Sequence, residues 1–74
     1  MARKITVTVR DDNDNNFEKD VELMVPTKFY RVLGQHDYDD ADEYDYCWDS
    51  LCDMIVNECR ELPRSWYIDC INWH

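Results

Sequence analysis

Apolar and polar residues alternate in two early segments of the chain, and this period of two is typical of half-buried strands. Between the segments, residues 11–16 are all Asp or Asn, which favour turns because they tolerate left-handed backbone and bond to their own main chain. The pattern therefore predicts an N-terminal β-hairpin. Its inward positions are Ile5, Val7 and Val9 on the first strand and Val21, Leu23 and Val25 on the second.

A short helix is predicted directly after the hairpin. Phe29, Val32 and Leu33 have i, i+3, i+4 spacing, which places them on one helical face. Pro26-Thr27 ends the second strand and offers an N-cap, and Gly34 is suited to the C′ position. We expect about two helical turns.

A longer helix is predicted from about Asp40 to Leu62, because apolar residues recur there every three or four positions and Pro63 limits the end. Four Asp residues share another stripe of this helix, within about 80° of arc and roughly 5 Å apart along the axis. The expected core stripe is Tyr44, Trp48, Leu51, Ile55 and Cys59. The acidic stripe is Asp42, Asp45, Asp49 and Asp53.

The last segment, Ser65 to Trp73, is rich in β-forming residues and apolar on both parities. This predicts a strand that is buried on both faces or paired in the centre of the sheet. We therefore expect one α+β domain spanning residues 1–74, in the order β-β-α-α-β. Its three-stranded sheet consists of the hairpin and the C-terminal strand, covered by one long acidic helix and one short helix.

The negative charge is concentrated in one part of the chain. The net charge is −9, and nine acids lie between Arg31 and Arg60 with no Lys or Arg among them, so the rest of the chain sums to zero. This distribution opposes direct binding to nucleic acid or to an anionic membrane and favours basic partners. We call these acids the acidic block: Asp37, Asp39, Asp40, Asp42, Glu43, Asp45, Asp49, Asp53 and Glu58.

The chain begins with a strand-like pattern rather than the apolar run of a signal peptide, and no stretch reaches the length of a membrane span. We therefore expect a cytoplasmic protein with reduced cysteines. The four Cys are separated by four, six and ten residues, which is not the paired spacing of structural zinc.

Other chemistry is also disfavoured. Asp12-x-Asp14-x-Asn16 starts like a calcium loop, but Phe17 and Leu23 stand where Gly and a bidentate Glu are needed. No Gly-rich phosphate loop or nucleophile–base motif is present in the sequence. We expect no catalytic activity, no metal site and no cofactor.

The acidic block has two interpretations. Acids in the first helical turn complement the helix dipole, and a charged stripe opposite an apolar one is a normal solvated face. However, like charges at i, i+4, such as Asp45, Asp49 and Asp53, cost a few tenths of a kcal/mol each. A sequence selected for stability alone would intersperse the signs, so an anionic interface is favoured.

Aromatic residues are interleaved with these acids, and Tyr and Trp often anchor interfaces. Tyr44 and Trp48 lie on the expected core stripe and are assigned to packing, whereas Tyr38 and Tyr46 fall outside it. The candidate partner-binding residues are Asp37, Tyr38, Asp39, Asp40, Asp42, Glu43, Asp45, Tyr46, Asp49 and Asp53.

A short acidic chain with a neutral body and carboxylates spaced along a helix resembles the phage-encoded DNA mimics that inhibit bacterial defence, the anti-CRISPR and anti-restriction proteins. The resemblance covers mainly residues 37–58 and carries over no individual residue. It implies that carboxylates stand in for DNA phosphates and occupy the Lys/Arg surface of a CRISPR effector or a restriction enzyme. The alternative is an acidic adaptor or regulatory module that binds a basic protein without imitating DNA.

Overall fold

The computed structural model of the chain describes residues 2–74 and confirms an α+β fold with the order β-β-α-α-β. None of the helices in this range has the length and apolar composition that crossing a bilayer demands. The helix α1 has an α-helical turn, Thr27–Phe29, followed by a π-helical turn, Tyr30–Gly34. The other elements are β1 Ala2–Asp11, β2 Asp14–Pro26, α2 Ala41–Glu58 and β3 Trp66–Trp73.

The sheet has the strand order β2-β1-β3, and both pairings are antiparallel. β1 and β2 form the predicted hairpin, with Val7 opposite Val21 and a tight turn at Asp12 and Asn13. Asp11 supports this turn, since its carboxylate accepts hydrogen bonds from the Asn13 amide and the Ser65 hydroxyl. The turn therefore ties the hairpin to the chain that enters β3.

One face of the sheet carries the core. All six inward hairpin residues predicted from the alternation are buried, and so are the three predicted for α1. The long helix covers β2 and packs against α1. The buried residues are Ile5, Val7, Val9, Val21, Leu23, Val25, Phe29, Val32, Leu33, Cys47, Leu51, Ile55 and Cys59.

The long helix is shorter than the sequence predicts. It starts after Asp40, the N-cap, and ends at Glu58 rather than at Leu62. Cys59 is already extended, with φ −125° and ψ 103°, and is buried. The chain leaves the helix there because it must turn within a few residues to enter β3, so Pro63 lies beyond the end of the helix.

The start and end of α1 also differ from the prediction. Pro26 is the N-cap, and Thr27 is the first helical residue. Gly34 lies inside the π-helical turn, which is closed by the hydrogen bond from the Gln35 amide to the Tyr30 carbonyl at 3.0 Å. No Gly among the described residues has a positive φ, so Gly34 is not a left-handed C′ residue.

The close approach of neighbouring rings explains the glycine. A Cβ at Gly34 would lie 2.9 Å from Tyr30 Cδ1 and 3.1 Å from Trp73 Cε2. The left-handed residue of this region is His36, with a φ of 55°. A glycine is therefore needed at the end of this helix because a side chain would collide with the two rings, and not because the backbone adopts a special conformation.

The prediction for β3 was wrong, because this strand is at an edge of the sheet and not in its centre. The register shifts between Thr8 and Val9, whose partners are Cys70 and Ile68, so Asp69 is the extra residue of a β-bulge. The bulge changes the parity of the strand. Trp66, Ile68, Ile71 and Trp73 consequently share the core face, and the apolar residues on both parities reflect the bulge rather than burial on two faces.

Candidate partner-binding surface

Helix α2 separates apolar and acidic residues on opposite sides. Cys47, Leu51 and Ile55 are fully buried. At 100° per residue, the acidic stripe is centred almost directly opposite them, and its four Asp residues are all exposed. The core stripe predicted from the sequence is therefore rotated slightly about the helix axis relative to the residues that are buried.

Tyr44 and Trp48, which were expected in the core stripe, are only half-buried, and Cys47 was missed. The spacing held the signal for Cys47, because it lies four residues before Leu51 and eight before Ile55. A small apolar thiol is easily overlooked beside two large aromatic residues. The true centre of the buried stripe is therefore Cys47, Leu51 and Ile55.

The acidic stripe has a charge density comparable with that of a DNA strand. Its carboxylates follow one another at roughly 4.5 to 6 Å along the helix axis. One strand of B-DNA carries a charge about every 3.4 Å. The helix thus presents a line of negative charge at about two-thirds of the density of a single phosphate backbone.

Most carboxylates of the predicted surface have no partner within the protein. In the part of the chain from residue 2 to 74, no salt bridge or hydrogen bond engages the side chains of six of them. They are exposed and available to a cationic partner. These six are Asp37, Asp39, Asp42, Asp45, Asp49 and Asp53.

Two other members of the predicted set have structural roles. The Asp40 carboxylate accepts a hydrogen bond from the Asp42 amide and caps α2. Glu43 accepts a hydrogen bond from Arg31 Nη2 at 3.0 Å, and only 27% of its side chain is exposed. Sequence spacing could not reveal this pair, because the two residues are twelve positions apart and in different helices.

Aromatic rings continue from the loop onto one side of α2. His36 and Tyr44 stack with ring centroids 5.8 Å apart, and Tyr44 and Trp48 stack at 6.4 Å with nearly parallel planes. Tyr38 leans on Tyr44 at 5.3 Å and is half-buried. Tyr38, predicted as a contact residue, therefore supports the loop and exposes only part of its ring.

Tyr46 is the most exposed aromatic residue within residues 37–58. Its exposed fraction is 65%. Lys28 Nζ lies 5.8 Å from the centre of its ring, which is a weak cation–π contact. Tyr46 therefore stands beside the acidic stripe as an aromatic group that a partner can reach.

The sheet face that does not carry the core is polar, with charges of both signs. Arg10 bridges Glu18 at 3.4 Å and Asp69 at 3.2 Å, and the hydrogen bond from Arg10 to Asp69 is the main cause of the raised pKa of the arginine. Lys4 lies 3.7 Å from Glu22. Because acids and bases pair on the sheet, the excess negative charge of the protein lies mainly on α2 and the loop before it.

The four cysteines are free thiols. Burial raises the pKa of Cys47 and, together with the nearby Asp49 and Asp53, that of Cys52. A raised pKa keeps both thiols protonated and unreactive near neutral pH. Among residues 2–74, no three His, Cys, Asp or Glu side chains are grouped so that they could hold a metal ion.

An open surface groove with a volume of about 510 Å³ lies at the C-terminal end of α2. It is lined mainly by apolar residues and two arginines, including Leu62, Trp66, Arg60 and Arg64. None of the acids predicted to bind a partner lines it. The candidate surface is accordingly a convex charged ridge, the acidic stripe with Tyr46 beside it, rather than a cleft.

Comparisons of this chain with known proteins found no relative. No protein-family model, no curated protein and no solved structure matches the chain.

Proposed function

We propose that the protein inhibits a bacterial defence nuclease or CRISPR surveillance complex by binding its nucleic-acid-binding surface in place of DNA. The observation that carries the proposal is the acidic stripe, whose four carboxylates are exposed and have no partner within residues 2–74. A cationic groove that binds phosphates by charge can bind such a line of carboxylates in the same way.

The mechanism is steric occlusion with electrostatic steering. The negative field of the acidic block accelerates encounter with a basic surface. Asp37, Asp39 and the acidic stripe then pair with Lys and Arg residues that would otherwise hold phosphates. Tyr46 supplies an adjoining aromatic contact, and Asp40 and Glu43 hold the helix and its preceding loop in place.

A phage gene product that acts inside the host cell fits this role, and we expect cytoplasmic function without a cofactor or catalysis. The second candidate is an acidic adaptor that binds a basic regulatory protein through the same ridge. The half-exposed rings of Tyr44 and Trp48 favour this candidate, because an aromatic surface beside charge also suits ordinary protein–protein contacts.

The experiment is a competition assay with purified CRISPR effectors and restriction endonucleases. Increasing amounts of this protein should reduce binding of labelled target DNA, and the inhibition should weaken as salt rises. The triple variant Asp45→Asn, Asp49→Asn, Asp53→Asn should lose it. A matched variant, Asp12→Asn, Glu22→Gln, Glu61→Gln, removes three charges outside the acidic block and should retain it.

The outcomes separate the candidates. Unchanged inhibition by the stripe variant would exclude mimicry through α2. Binding that leaves the DNA complex of the same protein intact would favour the adaptor, since a mimic and DNA exclude each other.

A further inference from the structure

The free edge of β3 adjoins a group of apolar side chains that are only half-buried. In residues 2–74 the strand has one hydrogen-bonded neighbour, β1. Helix α2 lies over β2, which is the strand at the opposite edge of the sheet. The core-facing side chains of β3 are therefore only half-buried. These are Trp66, Ile68, Ile71 and Trp73.

The two edges of the sheet differ in how they discourage pairing. The other edge strand, β2, carries alternating exposed charges at Glu18, Asp20 and Glu22 and ends at Pro26, which are common protections of a free edge. β3 carries one charged residue, Asp69, whereas β2 carries five. Charge therefore does little to prevent another strand from pairing with β3.

The core-facing side chains of β3 are arranged symmetrically along the strand. The sequence Trp-Tyr-Ile-Asp-Cys-Ile-Asn-Trp places Trp at both ends and Ile at equal distances from the centre. In a strand of uniform parity these residues would fall on opposite faces, but the bulge at Asp69 puts all four on the core face. The apolar pattern on the core face of β3 is thus the same in both directions.

An antiparallel copy of β3 would match this pattern residue for residue. With the two-fold axis between positions 69 and 70, Trp66 lies opposite Trp73 of the second copy, and Ile68 opposite its Ile71. On the other face, Tyr67 lies opposite Asn72. An interface between two identical chains related by a two-fold axis must be self-complementary, and this strand meets that requirement.

We propose that two copies of this chain associate through β3, forming a continuous six-stranded sheet. The occupant is a second copy because the symmetric pattern matches itself, and apolar pairs of this kind stabilise neighbouring strands. The two bulges face each other at the axis, with one short ladder on each side. The acidic stripes lie on α2, which is displaced toward β2, so the seam itself contains little charge.

The size of the seam sets the expected strength. Eight residues at about 3.4 Å each give a length of about 27 Å. On a molecule whose smallest extent is 18 Å, this offers roughly 500 Å² per copy, near the lower limit for a specific interface. With a net charge of −9 on each copy, we expect micromolar association that strengthens as salt screens the repulsion.

The test is sedimentation velocity from micromolar to near-millimolar concentration, at about 0.05 M and about 0.5 M salt. We expect a shift toward twice the chain mass of 9.0 kDa, with more dimer at high salt. Tyr67 and Asn72 are exposed, so they can carry charges without disturbing the core. The double variants Tyr67→Lys, Asn72→Lys and Tyr67→Glu, Asn72→Glu should each be monomeric, and their equimolar mixture should dimerise.

A matched control, Asn15→Lys with Asn16→Lys, adds the same charge at the hairpin and should dimerise like the parent. Circular dichroism confirms that each variant is folded. A parent that stays monomeric throughout, charge variants that still dimerise, or a mixture that fails to recover would each overturn the proposal. No binding partner is present, and the salt dependence has the opposite sign to that of the inhibitor assay, so the two proposals fail independently.

Discussion

Arg31 in α1 donates a hydrogen bond to Glu43 in the first turn of α2, with 3.0 Å between Nη2 and Oε1. The same guanidinium also donates from Nη1 to the carbonyl oxygen of Asp37, likewise at 3.0 Å. One side chain therefore links the loop between the helices, residues 35–40, to the first turn of α2. This cation therefore positions the N-terminal part of the acidic block.

Replacing Arg31 with Gln should reduce the free energy of unfolding by about 1 kcal/mol, because a partly exposed ion pair and a bond to a carbonyl are lost. Urea denaturation measures the change. A double-mutant cycle with Glu43→Gln isolates the pair, for which we expect a coupling of about 0.5 kcal/mol. A coupling of zero would mean that the pair contributes nothing to folding.

Asp40 should be sensitive to loss of its oxygen rather than of its charge. Asp40→Ala removes the acceptor for the Asp42 amide and should cost about 1 kcal/mol, whereas Asp40→Asn retains a side-chain oxygen and should cost much less. Thermal and urea unfolding of the two variants test this. Equal losses would show that charge, and not capping, is the contribution of Asp40.

The acidic stripe should reduce stability. Replacing Asp45, Asp49 and Asp53 with Asn removes repulsion at i, i+4 and should raise the free energy of unfolding by a few tenths of a kcal/mol for each of the two pairs. The gain should largely disappear at high salt, where the repulsion is already screened. Destabilisation at low salt would contradict this and would point to partners for these carboxylates.

Gly34→Ala should destabilise the fold by about 1 to 3 kcal/mol, because the new methyl group would press on the rings of Tyr30 and Trp73. Gln35→Ala, at the exposed next position, is the matched control and should change little. Urea denaturation compares the two. A neutral Gly34→Ala variant would show that the rings move apart at little cost.

The thiols should differ in reactivity. Cys70 is exposed and should be alkylated first by iodoacetamide, whereas the raised pKa of Cys52 leaves less thiolate at a given pH and delays its reaction. Since burial is the larger cause, Asp49→Asn with Asp53→Asn should lower the pKa of Cys52 only partly and advance its alkylation modestly. Mass spectrometry over a pH series resolves each site.

The hairpin and the existence of α2 could be predicted from the sequence because their signals are local. The alternation of apolar and polar residues around Val7 and Val21 indicates strands with one buried face, and the spacing of Leu51 and Ile55 indicates a helix. These patterns depend only on the period of the backbone. The exposure of the acidic stripe followed from the same geometry.

The remaining features depend on contacts between distant parts of the chain. The role of Gly34 requires the position of Trp73, and the pairing of Arg31 with Glu43 requires the packing of two helices. The position of β3 in the sheet was predicted wrongly because one added residue, Asp69, places apolar residues on both parities of the sequence. A strand buried on both faces has the same pattern. Local periodicity carries no information on any of these contacts.

The bulge at Asp69 also means that this residue is dispensable to the alternation of β3. Substituting Asp69 loses an exposed bond to Arg10, which the sheet can tolerate. Deleting it would remove the bulge and leave Trp66, Ile68, Ile71 and Trp73 at every second position, so that all four would stay on the core face. An insertion between Ile71 and Trp73 would instead carry Trp73 to the solvent face, so the strand tolerates a change of length at the bulge but not beyond it.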